Sequence, residues 1–127
     1  MKYTIEKTEK YSLIQLHDNK LTSVISPDLK SELVKINAEG TINIILDLSE
    51  VSFVDSSGLS SILVGNRLCE NEEGLFILTA PSDHVMKLIK ISQLEKILTI
   101  HPSVEEAVDA VFMHEIEKNL RNETNDD

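Results

Sequence analysis

Asp55, Ser56, Ser57 and Gly58 place one carboxylate, two hydroxyls and a glycine between an apolar run that reads as a strand and another that reads as a helix. Two kinds of chemistry suit that composition. A serine or aspartate at a helix start accepts from a backbone N–H that the first turn leaves unpaired. A hydroxyl exposed there could instead be a working group. From position and composition alone, the cap is the simpler reading.

Other chemistry finds little support. "GLSSI" has Ile62 where a nucleophile elbow needs its second glycine, and no histidine is placed by the sequence near the turn to activate a serine. His17, His84, His101 and His114 are scattered, and "HEIEK" carries Lys118 where a zinc helix needs its second histidine, so no metal site is expected. Gly40, Gly58, Gly65 and Gly74 lie too far apart to form a phosphate-cradling loop, and no cofactor is expected. Cys69 is the only cysteine; it shares a stripe with Leu59 and Ile62 and reads as a small buried hydrophobe.

Composition narrows the class. A chain of 127 residues suits one domain, and its net charge of −10 opposes the field needed to collect nucleic-acid phosphates directly. Aromatics make up 4% with no tryptophan, so bases would find little to stack on. The opening "MKYTIEKTEKYSLIQL" alternates charged and apolar residues and lacks the apolar length of a signal peptide or membrane helix. With no disulfide possible within the chain, a cytoplasmic protein without membrane insertion is expected.

The elements that would position the turn follow the apolar pattern. Residues 3–16 read as a hairpin, and "ISPDLKSELVKI" as a helix with Ser26 as N-cap, Pro27 at the first helical position and an end near Gly40. "TINIILDLS" is nearly continuous in Ile and Leu, the pattern of a central strand covered on both faces. A helix follows Gly58, with Gly65 permitting close packing on the sheet, then a strand through Thr79 and a helix capped by Ser82. A short strand near Leu98 precedes a helix opened by Ser103 and Glu106 at capping-box spacing, and "RNETNDD" reads as a frayed polar tail. The order specifies a single α/β domain with a mixed, mostly parallel sheet flanked by helices.

"LDLSEVSFVDSSGLSSIL", Leu46 to Leu63, resembles the signature of STAS domains, the sulfate-transporter and anti-sigma-factor-antagonist family, in which an aspartate, a serine, a serine or threonine, glycine and leucine follow a buried strand. The resemblance spans residues 1–113, leaving 114–127 as a helix end and acidic polar tail. It implies, in the free-standing antagonist branch, that Ser56 is phosphorylated by an anti-sigma factor acting as a serine kinase. The unmodified protein would bind that factor and free sigma; the phosphorylated form would release it, and a serine phosphatase would restore binding. Asp55, Ser56, Ser57, Gly58, Ser60, Ser61 and Asn66 would then contribute to the partner-binding face. Ser57 would hold the helix start while Ser56 points outward, and Gly58 would allow close approach of the partner. Asp55 either caps locally or touches the partner, and local structure is favoured.

One position departs from the family. Thr22 in "NKLTSVISP" stands where antagonists usually carry an aspartate associated with partner recognition, with Ser23 and Asp28 as the nearest substitutes. The same fold also serves as an unphosphorylated scaffold subunit of a membrane-associated lipid-transport complex. An ATPase and permease among co-purifying proteins would mark that role. No membrane span precedes the fold, so a covalently attached sulfate-transporter domain is not expected.

Overall fold

The computed structural model describes residues 1–125. Five strands, β1 (Tyr3–Lys7), β2 (Ser12–Leu16), β4 (Ile44–Asp47), β6 (Phe76–Thr79) and β7 (Thr99–His101), form one sheet in the order β1-β2-β4-β6-β7. β1 runs antiparallel to β2, and the remaining neighbours pair in parallel, as the expected hairpin and crossovers require. Two further strands, β3 (Lys20–Leu21) and β5 (Phe53–Val54), pair in parallel outside this sheet. They are absent from the sequence reading because two residues are too few to show an alternating pattern.

Four helices cover the sheet: α1 (Ser26–Ala38), α2 (Ser56–Asn71), α3 (Asp83–Ile91) and α4 (Val104–Asn125). Ile44 and Leu46 face one cluster that includes Leu29, Leu33, Leu59, Ile62, Val85 and Ile89 from the first three helices. Ile45 faces the other way, toward Ala107 and Val111 of α4 together with Leu13 and Ile77. β4 and β6 are therefore buried along their whole length, which is why both read as nearly unbroken apolar runs. A buried isoleucine or leucine contributes about 1.5–3 kcal/mol relative to an exposed one, so these strands fix the register of everything attached to them.

Two helix starts carry the expected caps, and two helix ends depart from expectation. Ser82 accepts from the Val85 N–H at 3.2 Å, and Ser103 accepts from the Glu106 N–H at 3.2 Å. Gly65 lets α2 lie against β6: a Cβ there would stand 2.4 Å from the Phe76 ring. Ser26, expected as a cap, is instead the first helical residue and is buried; Ile25 holds the cap position with no side-chain bond. The turn before it replaces the cap, with the Ile25 and Ser26 N–H groups donating to the Thr22 carbonyl at 3.0 and 2.8 Å. The tail expected to fray is helical through Asn125, because α4 continues unbroken past Arg121; Asp126 and Asp127 lie outside the described residues.

Candidate functional site

β4 ends at Asp47, and the chain then crosses to β5 and enters α2 at Ser56. β5 is pinned by β3, with Lys20 opposite Phe53 and Leu21 opposite Val54. The Asp55 N–H donates to the Leu21 carbonyl at 3.2 Å, which carries the pairing one residue further. The turn is thus braced against the segment that leads into α1 before any side chain is considered.

Asp55 is the N-cap of α2 in extended conformation, and its Oδ1 accepts from the Gly58 N–H at 2.8 Å. Its other oxygen, Oδ2, accepts from the Ser23 N–H at 3.1 Å. The carboxylate is committed to backbone on each side. The hydrogen bond that closes the helix start comes from Asp55, the local role favoured for it from the sequence, and not from Ser57, which was also expected to hold the helix start. Aspartate performs this better because its two oxygens can serve two donors, whereas a serine has one.

Ser56 is exposed and its hydroxyl makes no hydrogen bond among the described residues. The hydroxyl is accordingly free of the capping duty that composition first assigned to this turn. Ser60 and Arg67 share the exposed face of α2 with Ser56, with Arg67 about 16 Å further along the helix. Asn66 is half-buried on the flank, its amide 3.5 Å from Glu70 Oε2.

Two expected contributors to the face lie inside the protein. Ser61 is fully buried and its hydroxyl donates to the Gly58 carbonyl at 2.6 Å, since it falls on the side of α2 turned to the core. Gly58 is also buried: a Cβ there would lie 2.3 Å from the Leu21 carbonyl oxygen and 2.7 Å from Val54 Cγ1. The close approach that the glycine permits is to β3 and β5, not to a partner.

Thr22 is half-buried, and its hydroxyl accepts from the Val24 N–H at 3.4 Å while its carbonyl serves Ile25 and Ser26. Ser23 is exposed and tied to Asp55 through its backbone. Asp28 lies 3.9 Å from the terminal ammonium of Met1. Two apolar side chains flank the turn: Val24 is 83% exposed and Phe53 is 39% exposed. Phe53 stacks on His84 of α3 with ring centroids 5.3 Å apart. Neither had a signal in the sequence, because a lone valine in a turn and a phenylalanine in a strand read as ordinary structure.

Two of the remaining histidines have polar partners. His17 Nδ1 lies 2.5 Å from Glu50 Oε2, and His114 Nε2 lies 2.9 Å from the Glu73 carbonyl. Among the described residues no group of three His, Cys, Asp or Glu side chains could hold a metal ion. Cys69 is fully buried, and burial pushes its thiol up to about 12. Among those residues, no helix is long and apolar enough to cross a membrane.

This arrangement, a buried parallel strand leading to a braced aspartate–serine turn at a helix start, is that of the STAS domain, and the chain belongs to that family over residues 4–107. The anti-sigma-B factor antagonist of Staphylococcus epidermidis is 32% identical over 81 residues, covering 62% of this chain and 73% of that protein. The anti-sigma factor antagonist SpoIIAA in its unphosphorylated form superposes with a TM-score of 0.75 at 27% identity, covering 87% of this chain and 96% of the other. The Bacillus cell fate determinant SpoIIAA in its phosphorylated form gives 0.69 at 27% identity, covering 87% and 99%. The mixed sheet with four helices expected from the sequence is the architecture these antagonists share.

Proposed function

We propose that this protein is an anti-sigma factor antagonist whose exposed Ser56 is the phosphorylation switch. The observation that carries the reading is the division of labour at the turn: Asp55 supplies the cap, leaving the Ser56 hydroxyl exposed and unengaged. In this reading the unmodified protein binds an anti-sigma factor with serine kinase activity in the cytoplasm and so frees sigma. Similarity to the staphylococcal antagonist and to SpoIIAA supports that partner class. The protein itself is a regulator without catalytic residues.

A phosphate on Ser56 would sit at the first residue of α2, where the helix dipole favours an anion, so the fold tolerates it. The same dianion pressed into a packed interface loses its hydration and weakens the complex by several kcal/mol unless the partner offers a cation. Phosphorylation then ends binding without unfolding, and a serine phosphatase resets the cycle. Ser56, Ser57, Ser60, Asn66, Thr22 and Ser23 form the docking face, with Val24 and Phe53 as its apolar anchors.

The test is intact-mass and peptide mass spectrometry of the protein from its own cells, with Ser56→Ala as control. One phosphate on the peptide containing Ser56, lost in the variant, is the expected result. No phosphate under any growth or stress condition, with an ATPase and permease co-purifying, would replace this reading with the transport-scaffold one.

A further inference from the structure

α4 is 22 residues long, about 33 Å, whereas the four-residue strands β4 and β6 that it covers span about 13 Å each. The helix outruns its sheet. Ala107 and Val111 define its sheet-facing side, fully buried against Leu13, Ile45 and Ile77. At 3.6 residues per turn, the opposite side presents Phe112, Met113 and Ile116, which are 44%, 56% and 53% exposed, and exposed Leu120 continues the line. Four large apolar side chains in one stripe exceed the scattered exposure usual on a surface helix.

Charge around the stripe is of one sign. Glu105 and Asp109 stand in line with it on the N-terminal side, Glu123 on the C-terminal side and Glu117 along one edge, and no Lys, Arg or His shares that side of the helix. The cations of this stretch turn elsewhere: His114, Lys118 and Arg121 line a cleft with Glu70 and Glu73 at the far end of α2. Together these placements give α4 an outer face that is apolar along its middle and acidic at its two ends, with Glu117 on one edge.

We propose that this face docks a basic amphipathic helix of another protein, whose apolar side covers Phe112, Met113 and Ile116 and whose lysines or arginines meet the flanking carboxylates. Complementary charge selects that occupant over the two others. A second copy lying antiparallel across Ile116 would set Asp109 against Glu123, a like-charge pair repeated on each side of the two-fold axis. An anionic bilayer would meet the same carboxylates, where membrane-surface helices carry lysine and arginine. α4 covers the sheet face opposite α2, so this site is separate from the Ser56 turn and the two can be filled together.

Photo-crosslinking from benzoylphenylalanine in place of Met113, in the cells that make the protein, identifies the occupant. The crosslinked peptide is expected to come from another protein, to be rich in Lys and Arg, and to repeat apolar residues at i, i+3 and i+4. Its yield should fall roughly tenfold when Phe112 and Ile116 are changed to serine, with the helical circular dichroism unchanged. In vitro, fluorescence anisotropy with a synthetic helical Leu/Lys peptide should show the same drop and a loss on adding salt, while a Leu/Glu peptide should not bind. Adducts to α4 of a second copy, to lipid, to a segment without that pattern or to no polypeptide would overturn the proposal, as would equal peptide binding by the serine variant.

Discussion

Asp55 and Ser23 stand 32 residues apart in the chain and are joined by a hydrogen bond of 3.1 Å from the Ser23 N–H to Asp55 Oδ2. The second carboxylate oxygen caps α2. One side chain thereby fixes the helix start and the loop beside it as a single surface.

Replacing Asp55 separates those two duties. Asp55→Ala removes both bonds and should lower stability by about 1–2 kcal/mol in urea unfolding. Asp55→Asn can still cap through its carbonyl oxygen, but turns an amide toward the Ser23 N–H. The Ser23 amide should then exchange with deuterium faster than in the parent protein, while most of the stability remains; unchanged exchange in Asp55→Asn would show that the carboxylate does not protect the Ser23 N–H.

Gly58→Ala tests the packing of α2 on β3. The new methyl would meet a backbone oxygen at 2.3 Å, which has no side-chain freedom to yield. Overpacking of this kind typically takes about 1–3 kcal/mol, against a helix-propensity gain of about 1 kcal/mol. A net loss of stability is expected, with amide chemical-shift changes concentrated in residues 21–24. A stabilised variant would show that the two elements can move apart freely.

Cys69 should be inert in the folded protein. Burial holds the thiol protonated up to about 12, so iodoacetamide should label it slowly at pH 8 and rapidly in denaturant. The folded value lies above the unfolded one, so the associated stability is complete below about pH 9 and declines as pH rises toward 12. Cys69→Ala should lack that component, measured as the difference between the two alkaline unfolding curves.

Asn43 joins three parts of the fold. Its amide nitrogen donates to the Lys10 carbonyl at 2.9 Å and to Glu115 Oε1 at 2.8 Å, and its oxygen accepts from the Leu75 N–H at 2.9 Å. Asn43→Ala should lose about 2–3 kcal/mol, since buried groups are left unpaired. The hydrogen bond from Asn43, with Lys118 assisting, holds the Glu115 carboxyl below its usual range. A lowered folded value stabilises above the unfolded pKa and is lost as pH falls through the folded one, so Glu115→Gln should flatten the acid limb of stability below about pH 4.5.

The layered architecture was legible because its signals are long. The run through Ile44–Asp47 and the caps at Ser82 and Ser103 follow from apolar continuity and capping chemistry acting over several residues. The turn was legible in composition, and with it the local role of Asp55, but not the division of the work between Asp55 and Ser57. Whether Asp55, Ser56 or Ser57 caps α2 depends on which side chain faces the Gly58 N–H, and spacing alone leaves all three available. Ser61 misled for a related reason: its hydroxyl looks like surface, yet a bond to the Gly58 carbonyl satisfies it inside. β3 and β5 had no legible signal at all, because their partners lie more than thirty residues apart and each strand is only two residues long.

Because β3 and β5 pair with each other outside the five-stranded sheet, the loop bearing Ser23 and Val24 can change its sequence without disturbing the ladders of the core. Under the proposed docking face, recognition and foldability fall under different selective constraints. A duplicated gene of this design could drift toward a new partner by altering a few loop side chains, while the scaffold beneath stays the same.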